Sequence, residues 1–394
     1  MTDIAIVYDR SETDEMGIKY TAEKEGIDLG YVPFHKISVG ISKTGFNYRS
    51  LGHNFNEILD NYKIILNRTQ SKSRRILGAA IFEAMGKKVL NPQSIEIVCQ
   101  SKIRTLLALL KNGVNFPKTV YIPCNVHETK PGGGYLDNSK VVSALLAKQF
   151  QNDQIVLKPD AGTHGIGIKL TKTMDELNEE LLDIHPSIIN PSGVVAQEYV
   201  PKWFYDLRIV VEKENTRKPF CHGTAMARGG FKDFRTNTYL GNMVFRVNLP
   251  NTVRKEAERC GAAIAGNAEG WVLALDAMPL IEESEMYSED DLKSSFDNLE
   301  PSFNQVQKIK KYPLKKRNFP LYTEKIENSY DEYMSHDSYR EIQKVIQETL
   351  ERKKDSLLFH EGNACPEFWE QTRIVGGVNI AKSLINCAKS FLDQ

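Results

Sequence analysis

The stretch IVLKPDAGTHGIGIKL, residues 155–170, gives the clearest indication of the fold. An apolar strand delivers Lys158, a loop of small residues follows, and a second strand leaves. Gly162, Gly165 and Gly167 let backbone N–H groups approach phosphate oxygens, and a lysine can neutralise phosphate charge. A Rossmann fingerprint would open a helix instead, and a Walker loop would carry Gly-Lys-Ser/Thr. The stretch therefore indicates a phosphate-binding hairpin of another kind, with a plain flexible hairpin as the structural alternative.

Three oxygen-bearing residues mark a candidate cation site. Asp276 follows the apolar run WVLAL, and Glu361 and Asn363 lie two positions apart in LLFHEGN, so both project from one face of a strand. Carboxylate and amide oxygens suit a hard cation such as Mg²⁺ that is bridged to nucleotide phosphates. The two stretches resemble the strands of one hairpin, which predicts that the polar residues 282–355 are an insertion. Unrelated surface residues are the alternative.

Two further motifs carry groups suited to a nucleotide. The segment 197–200, Gln-Glu-Tyr-Val, ends a strand and can pair its backbone with an adenine edge, while Asp206 is an acid able to hold ribose hydroxyls. In 234–237, Phe-Arg-Thr-Asn, Arg235 offers a planar fork for phosphate or an oxyanion. A solvated turn and a structural salt bridge are the respective alternatives. The bulky aromatic residues 203–205 predict packing in a core or a lid.

The order of apolar strands divides the chain into three parts. Residues 1–92 alternate short β-branched strands with helical stretches, which predicts a small α/β domain. Residues 93–200 and 201–394 combine helices with strands separated by polar loops, which favours an α+β arrangement with a mostly antiparallel sheet. The insertion at 282–355 interrupts the third part and carries the basic run 308–317. We expect this run to be a solvated surface, with docking of an acidic carrier or protein tail as the alternative.

The composition excludes several classes of protein. The 394 residues carry 51 Lys and Arg against 51 Asp and Glu, so no general charge draws the chain to nucleic acid or to an anionic membrane. No apolar run reaches the roughly 18–20 residues of a membrane helix, and the N-terminus lacks a basic leader. The six cysteines are dispersed without a Cys-x-x-Cys pair. This spacing predicts buried thiols in a reducing cytoplasm rather than a zinc or disulfide framework.

Together and in this order, the four motifs resemble those of the ATP-grasp ligases, specifically the RimK-like carboxylate–amine ligases. The resemblance covers residues 67–241, 271–276 and 357–386. It implies a pre-ATP-grasp domain in 1–92, followed by two ATP-grasp subdomains, central and C-terminal, that sandwich the nucleotide. The long separation of the candidate metal ligands departs from the short hairpin turn that is usual in the family.

The resemblance also implies a role for each candidate residue. Those implied to contact nucleotide phosphates or the reacting acyl phosphate are Lys102, Lys158, Arg235 and Asn237, with Lys158 and Arg235 the catalytic candidates. Those implied to close over the phosphates are Gly162, Gly165 and Gly167. Those implied to hold adenine and ribose are Glu198, Tyr199, Val200 and Asp206. Those implied to hold one or two Mg²⁺, with Mn²⁺ as an alternative, are Asp276, Glu361 and Asn363.

The implied reaction joins a carboxylate to an amine at the expense of ATP. ATP phosphorylates the carboxylate, and an amine then attacks the acyl phosphate to give an amide, ADP and phosphate, for which positioning and charge neutralisation suffice. The implied substrates are an amino acid, most often glutamate, and a small-molecule, peptide or carrier-protein carboxylate. Members of the family are often homo-oligomers.

Two other functions are compatible with the motifs, namely a peptide-modifying ATP-grasp macrocyclase and an inactive nucleotide-binding scaffold. The second is disfavoured because five residues that the chemistry would need are all present. They are Lys158, Arg235, Asp276, Glu361 and Asn363.

Overall fold

A computed structural model describes residues 3–10, 12–50, 56–125, 127–129, 132, 135–150, 154–162, 165–187, 190–286, 289–311 and 318–392. Within these ranges, three larger sheets follow one another along the chain, and two short hairpins accompany them. The mixture of parallel and antiparallel sheets with helices confirms the predicted α/β and α+β classes. None of the described helices is both long enough and apolar enough to cross a bilayer.

The first part is a parallel sheet flanked by helices. Its strands are β1 (Ile4–Tyr8), β2 (Gly30–Pro33), β3 (Ile37–Ser42), β4 (Gly45–Ser50), β5 (Ile64–Arg68) and β6 (Lys88–Leu90), and its helices are α1 (Thr13–Lys24), α2 (Asn56–Asn61) and α3 (Lys72–Ala84). The parallel order is β2-β1-β5-β6, with β3 and β4 forming a separate hairpin. Strand β5 is buried throughout and ends at Arg68. Ligands of such sheets bind beyond the carboxyl ends of the strands, so this edge can form part of a site.

The second part is an antiparallel sheet that carries the glycine loop. Its elements are α4 (Gln93–Gln100), α5 (Lys102–Lys111), β7 (Thr119–Ile122), β8 (His127–Thr129), β9 (Tyr135–Asp137), α6 (Ser139–Gln149), β10 (Ile155–Pro159), β11 (Lys169–Thr171), α7 (Met174–Asp183) and β12 (Val194–Glu198). The strand order is β11-β10-β12-β7. Helices α6 and α7 pack together, and Leu146, Leu177 and Leu181 are buried with the strand residues in a core of their own.

Two local predictions in this part are wrong. The strand expected at 165–170 begins only at Lys169, because Gly165 and Gly167 adopt positive φ values of 73° and 72°, which turn the chain instead of extending it. The prolines and glycines of segment 122–135 predict a loop, but the segment contains part of the β8–β9 hairpin.

The third part is a larger antiparallel sheet. Its elements before the insertion are β13 (Tyr205–Lys213), β14 (Phe220–Cys221), β15 (Thr224–Gly229), β16 (Met243–Asn248), α8 (Asn251–Ala265) and β17 (Trp271–Pro279). Strand β18 (Leu357–Asn363) returns antiparallel to β17, with Asp276 opposite Glu361. The hairpin predicted from the sequence is therefore confirmed, and the residues between its strands form the insertion.

The insertion is a folded unit of three helices, α9 (Glu289–Lys310), α10 (Phe319–Ser335) and α11 (Asp337–Lys353). Its side chains continue the core of the third sheet, and buried members from the three helices are Leu299, Phe303, Val306, Tyr330, Tyr333, Ile342, Ile346 and Leu350. The same core reaches the first part through Ile4 and Ile6, and helices α12 (Gln371–Ile374) and α13 (Ile380–Lys389) close the chain against it.

The aromatic residues 203–205 explain why the insertion fits here. Phe204 and Tyr205 are buried, which confirms the predicted core packing. Phe204 contacts Phe296 of α9 with ring centroids 5.5 Å apart, and the Tyr205 hydroxyl lies 2.9 Å from the Thr349 hydroxyl of α11. The unusual bulk of this connector is therefore matched to the insertion packed on it.

Candidate active site

A cleft of about 1120 Å³ lies where the three parts meet the insertion. Eleven lysine and arginine side chains line it, against eight aspartate and glutamate side chains. Pockets for one drug-sized ligand usually measure about 300–1000 Å³. The cleft can therefore hold more than one ligand, and its excess of cations favours an anionic one. It contains all fourteen candidate residues except Gly167.

Lys158 is the buried cation of the cleft. It lies near the end of β10, is 9% exposed, and donates a hydrogen bond of 2.5 Å to Gln197 Oε1 on the neighbouring strand. Burial and the nearby Lys102 ammonium lower the pKa of Lys158 to about 8. The Glu361 carboxylate raises this pKa, but its effect is smaller than that of Lys102. A negatively charged group placed beside Lys158, such as a phosphate, would raise this pKa towards its usual value.

Lys102 begins α5 and braces the glycine loop. Its ammonium donates to the carbonyls of Pro159 (3.0 Å), Asp160 (3.3 Å) and Gly162 (3.3 Å). Burial lowers the pKa of Lys102, and the charge of Glu361 acts in the opposite direction. In this structure the residue holds the backbone of the loop, and its charge faces the same cleft as Lys158.

The glycine loop touches the loop that carries Arg235 and Asn237. Arg235 NH1 donates to the Gly165 carbonyl at 3.1 Å, and its other nitrogens bind the Asp233 carboxylate. A Cβ atom added at Gly165 would lie 3.1 Å from Asn237 Oδ1, so the close approach and the positive φ both require glycine. Thr163 and His164 of the loop lie outside the described residues.

The segment after β12 forms another wall of the cleft. The Glu198 carboxylate accepts a 2.8 Å hydrogen bond from the Lys118 amide, so its side chain is occupied, although the residue still lines the cleft. The Tyr199 amide donates to the Gln154 carbonyl, and the Lys202 amide donates to Val200 O at 2.7 Å. The Val200 amide has no hydrogen-bond partner among the described residues, which leaves a donor beside the cleft.

Asp206 is buried in an ion pair. Arg228 donates to both of its oxygens, at 2.9 and 2.8 Å, across the register in which β13 places Asp206 opposite Arg228. Burial would raise the pKa of Asp206, but the Arg228 guanidinium holds it below its usual value. The ribose role inferred from the sequence would require the nucleotide to share this carboxylate with Arg228.

The candidate metal ligands lie together at the β17–β18 hairpin. Asp276 faces Glu361 across the two strands, and its oxygens accept hydrogen bonds from Arg208 at 2.9 Å each. Arg228 lies 3.1 Å from the same carboxylate. Burial would raise the pKa of Asp276, but Arg208 and Arg228 lower it well below its usual range.

Glu361 is ionised by its surroundings in the same way. Burial opposes its charge, yet the Lys102 ammonium holds the pKa of Glu361 below its usual value. The Asn363 amide nitrogen is buried without a hydrogen-bond partner among the described residues. The hairpin therefore presents two carboxylates and one unsatisfied amide to a cleft that also contains Lys158.

Comparisons with known proteins were made for the sequence and for the fold. No family model matches the chain. The chain is 27% identical over 239 residues to the alpha-aminoadipate–LysW ligase LysX of Sulfurisphaera tokodaii, covering 60% of this chain and 73% of the relative. It is 25% identical over 205 residues to the coenzyme gamma-F420-2:alpha-L-glutamate ligase of Methanocaldococcus jannaschii, covering 50% of this chain and 59% of the relative.

Solved structures agree on the fold. D-alanyl-alanine synthetase A of Vibrio cholerae superposes with a TM-score of 0.55 at 9% identity, covering 100% of this chain and 99% of that one. The ATP-grasp ligase PsnB in complex with a minimal precursor gives 0.54 at 11% identity, covering 98% and 99%. The chain therefore has the fold of the ATP-grasp ligases, and its sequence is similar to those of carboxylate–amine ligases. Enzymes of this class form carbon–nitrogen bonds and use ATP and Mg²⁺.

The cation site of this ATP-grasp ligase fits Mg²⁺ by its donor set. Mg²⁺ is usually bound by one or two carboxylates together with substrate phosphates, rather than by a full protein cage. Asp276, Glu361 and the Asn363 amide supply such a partial set, and the described residues contain no group of three or more His, Cys, Asp or Glu that would form a closed site. Arg208 and Arg228 already balance Asp276, so a cation would share that carboxylate with them.

Several cleft residues of the ATP-grasp ligase carried no assigned role in the sequence analysis. Arg208 pairs with Asp276 and Arg228 with Asp206, and this pairing depends on the register of three strands. Lys202 lies in the cleft and burial lowers its pKa to about 8. Burial also lowers the pKa of His360 to about 4, so its ring is neutral near pH 7. Strand alternation could have placed Arg208 on the same face as Asp206, whereas His360 lies at a bulge of β18 that alternation does not predict.

Proposed function

We propose that this protein phosphorylates a substrate carboxylate with ATP and couples the acyl phosphate to the amine of an amino acid, with glutamate favoured. The products are an amide, ADP and phosphate. The phosphoryl group leaves ATP for a carboxylate oxygen, and the amine nitrogen then displaces phosphate from the carbonyl carbon while losing a proton. A small molecule, a peptide or a carrier protein would supply the carboxylate.

One observation carries this proposal, namely that the carboxylates of the β17–β18 hairpin and the buried lysines occupy one cleft. Asp276 and Glu361 face each other across two strands, and Lys102 and Lys158 line the same space. Phosphoryl transfer needs charges placed around the transferred group, and these groups supply them without a covalent nucleophile. Asp276, Glu361 and Asn363 would hold one or two Mg²⁺, which would supply positive charge to the nucleotide phosphates.

Other residues of the cleft would bind the phosphates, the adenine ring and the acyl phosphate. Lys158 and Arg235 would contact the phosphates and the developing acyl phosphate, because both are cations that line the cleft together with the glycine loop. The free amide of Val200 can donate to an adenine ring nitrogen, as the strand end was expected to do. The glycine loop would close over the phosphates, since Gly165 and Gly167 leave its backbone accessible.

Nucleotide product analysis tests the proposal. The enzyme is incubated with Mg²⁺-ATP, pooled amino acids and candidate carboxylates, and nucleotides and phosphates are quantified. We expect ADP and phosphate that depend on both an amino acid and a carboxylate. AMP with pyrophosphate would contradict the acyl-phosphate route, because it indicates adenylation. Absence of Mg²⁺-ATP binding, measured by calorimetry, would contradict the assigned nucleotide site itself.

A further inference from the structure

The insertion supplies one wall of the cleft. Asn304, Gln307, Lys310 and Lys311 line it together with the residues of the hairpin and the glycine loop. Positions 304, 307 and 311 follow the spacing of one helix face, so α9 and the turn after it present a continuous polar strip. This wall of the cleft therefore comes from the segment that separates strands β17 and β18.

This wall is fixed in place. Near the start of α9, Phe296 packs against Phe231 with ring centroids 5.5 Å apart, beside the loop that carries Arg235. At its end, Lys310 Nζ lies 2.9 Å from Glu370 Oε2, and the Tyr322 hydroxyl of α10 donates to the other oxygen of Glu370. Because both ends are anchored, the polar strip keeps a defined position relative to the hairpin.

The strip offers hydrogen-bond donors that have no acceptor. The Gln307 amide nitrogen is buried without a hydrogen-bond partner among the described residues. Glu370 neutralises Lys310, whereas Lys311 makes no ion pair within 4.0 Å in the part of the chain that the structure describes. Glu367 also lines the cleft but pairs with neither lysine. A buried donor left unpaired is unfavourable, so a ligand with anionic oxygens would fit this strip.

We propose that Gln307 and Lys311 form a specificity subsite that binds a second carboxylate of the acceptor, apart from the carboxylate that is activated. The inference rests on the proposed function, since it assigns the insertion to the acceptor side of the same cleft. The chain's preference is then for a dicarboxylate or for an acidic peptide end, and both share this second carboxylate. Lys311 supplies the charge and Gln307 the directional hydrogen bond.

Binding of matched probes tests the subsite. Calorimetry is run with Mg²⁺ and a non-hydrolysable ATP analogue, titrating glutarate against pentanoate, which differs by one terminal carboxylate. The dipeptides Glu-Glu and Gln-Gln form a second arm that separates a peptide acceptor from a small one. The variants are Lys311→Glu and Gln307→Leu. Lys308→Glu is the control because Lys308 is exposed on the same helix and does not line the cleft.

We expect the wild type to bind at least one dianionic probe more tightly than its partner. Lys311→Glu should weaken that probe about tenfold or more, the equivalent of about 1.4 kcal/mol, while leaving the nucleotide analogue and the Lys308→Glu control unchanged. Gln307→Leu should weaken it less. The proposal is overturned if the wild type binds neither dianionic probe better than its match, or if both lysine variants behave alike. Loss of nucleotide binding in the wild type would instead contradict the proposed function.

Discussion

The two antiparallel sheets of the cleft differ in how their hydrophobic cores connect to the rest of the molecule. The sheet with the glycine loop encloses a small core between residues 122 and 196, separate from the others. The sheet with the β17–β18 hairpin shares one continuous core with the N-terminal part and the insertion. The difference teaches that one wall of the cleft can move as a unit, whereas the wall that holds Asp276 and Glu361 cannot move without disturbing most of the molecule.

Truncation of core residues should show the separation most strongly. Phe303→Ala in the shared core should lower the free energy of unfolding of the whole chain by about 3–5 kcal/mol, and Leu181→Ala in the small core should destabilise its own sheet by about 2–5 kcal/mol. Hydrogen exchange by mass spectrometry locates each effect. Equal acceleration of β17 and β18 by Leu181→Ala would contradict the separation.

Substitution of a candidate metal ligand in the β17–β18 hairpin should affect catalysis without affecting the fold. Glu361→Gln should lower Mg²⁺-dependent turnover by about two to three orders of magnitude, because it removes one of the two carboxylate charges proposed to hold Mg²⁺ beside the nucleotide phosphates. Turnover and circular dichroism are measured together. Glu324→Gln, at an exposed site on α10, is the control and should behave as the wild type. Near-normal turnover of Glu361→Gln would show that the metal assignment is wrong.

Lys158 should destabilise the nucleotide-free protein and strengthen the binding of nucleotide. Its pKa is about 8 in the folded chain and near 10.5 when unfolded. Between these values the unfolded chain binds more protons, so the contribution of Lys158 to stability rises with pH through this window. Lys158→Met should therefore stabilise the nucleotide-free protein by about 1–3 kcal/mol at pH 7 and lose that advantage toward pH 10.5.

The same variant should bind Mg²⁺-ATP at least about tenfold more weakly at pH 7. Chemical denaturation at several pH values and calorimetry with nucleotide give the two readouts. A variant that is less stable than the wild type at pH 7, yet binds nucleotide normally, would assign Lys158 a purely structural role.

The smallest effect is expected at the contact between the two walls. Arg235→Gln removes the hydrogen bond to the Gly165 carbonyl, so amides at 165–168 should exchange about tenfold faster while the free energy of unfolding changes by less than about 1 kcal/mol. Arg217→Gln is the matched control, since that arginine is exposed and pairs only with Glu214 nearby. Unchanged exchange at the glycine loop would indicate that the contact does not hold the walls together.

Local patterns in the sequence predicted much of this molecule. The glycine loop and strands β17 and β18 could be predicted because the residues that form each pattern lie within a few positions of each other. The charged, periodic sequence of 338–354 predicts a helix, and α11 lies there, whereas α9 and α10 were not predicted. Their apolar positions, such as Leu299, Phe303 and Val306, do follow helical spacing, although the polar composition of the segment obscured it.

The arginine pairs could not be predicted in the same way. Asp206 meets Arg228, and Arg208 meets Asp276, only through the register of β13 with its two neighbours. Register depends on the packing of whole strands and shifts every side chain when it slips by one residue. The shared core of the insertion was hidden for a similar reason, because its partners Phe204 and Tyr205 lie more than a hundred positions away from α11.

The pairing of Pro279 with Leu357 has a consequence for how such enzymes diversify. Antiparallel neighbours place the two ends of the insertion about 5 Å apart, so a replacement module needs only adjacent termini and a face that covers Phe204 and Tyr205. Exchange of this module between relatives would alter the wall of the cleft that carries Gln307 and Lys311 while leaving Lys158, Asp276 and Glu361 in place. Other helical modules could therefore be inserted between β17 and β18, and libraries of such insertions would be a way to search for ligases with new acceptors.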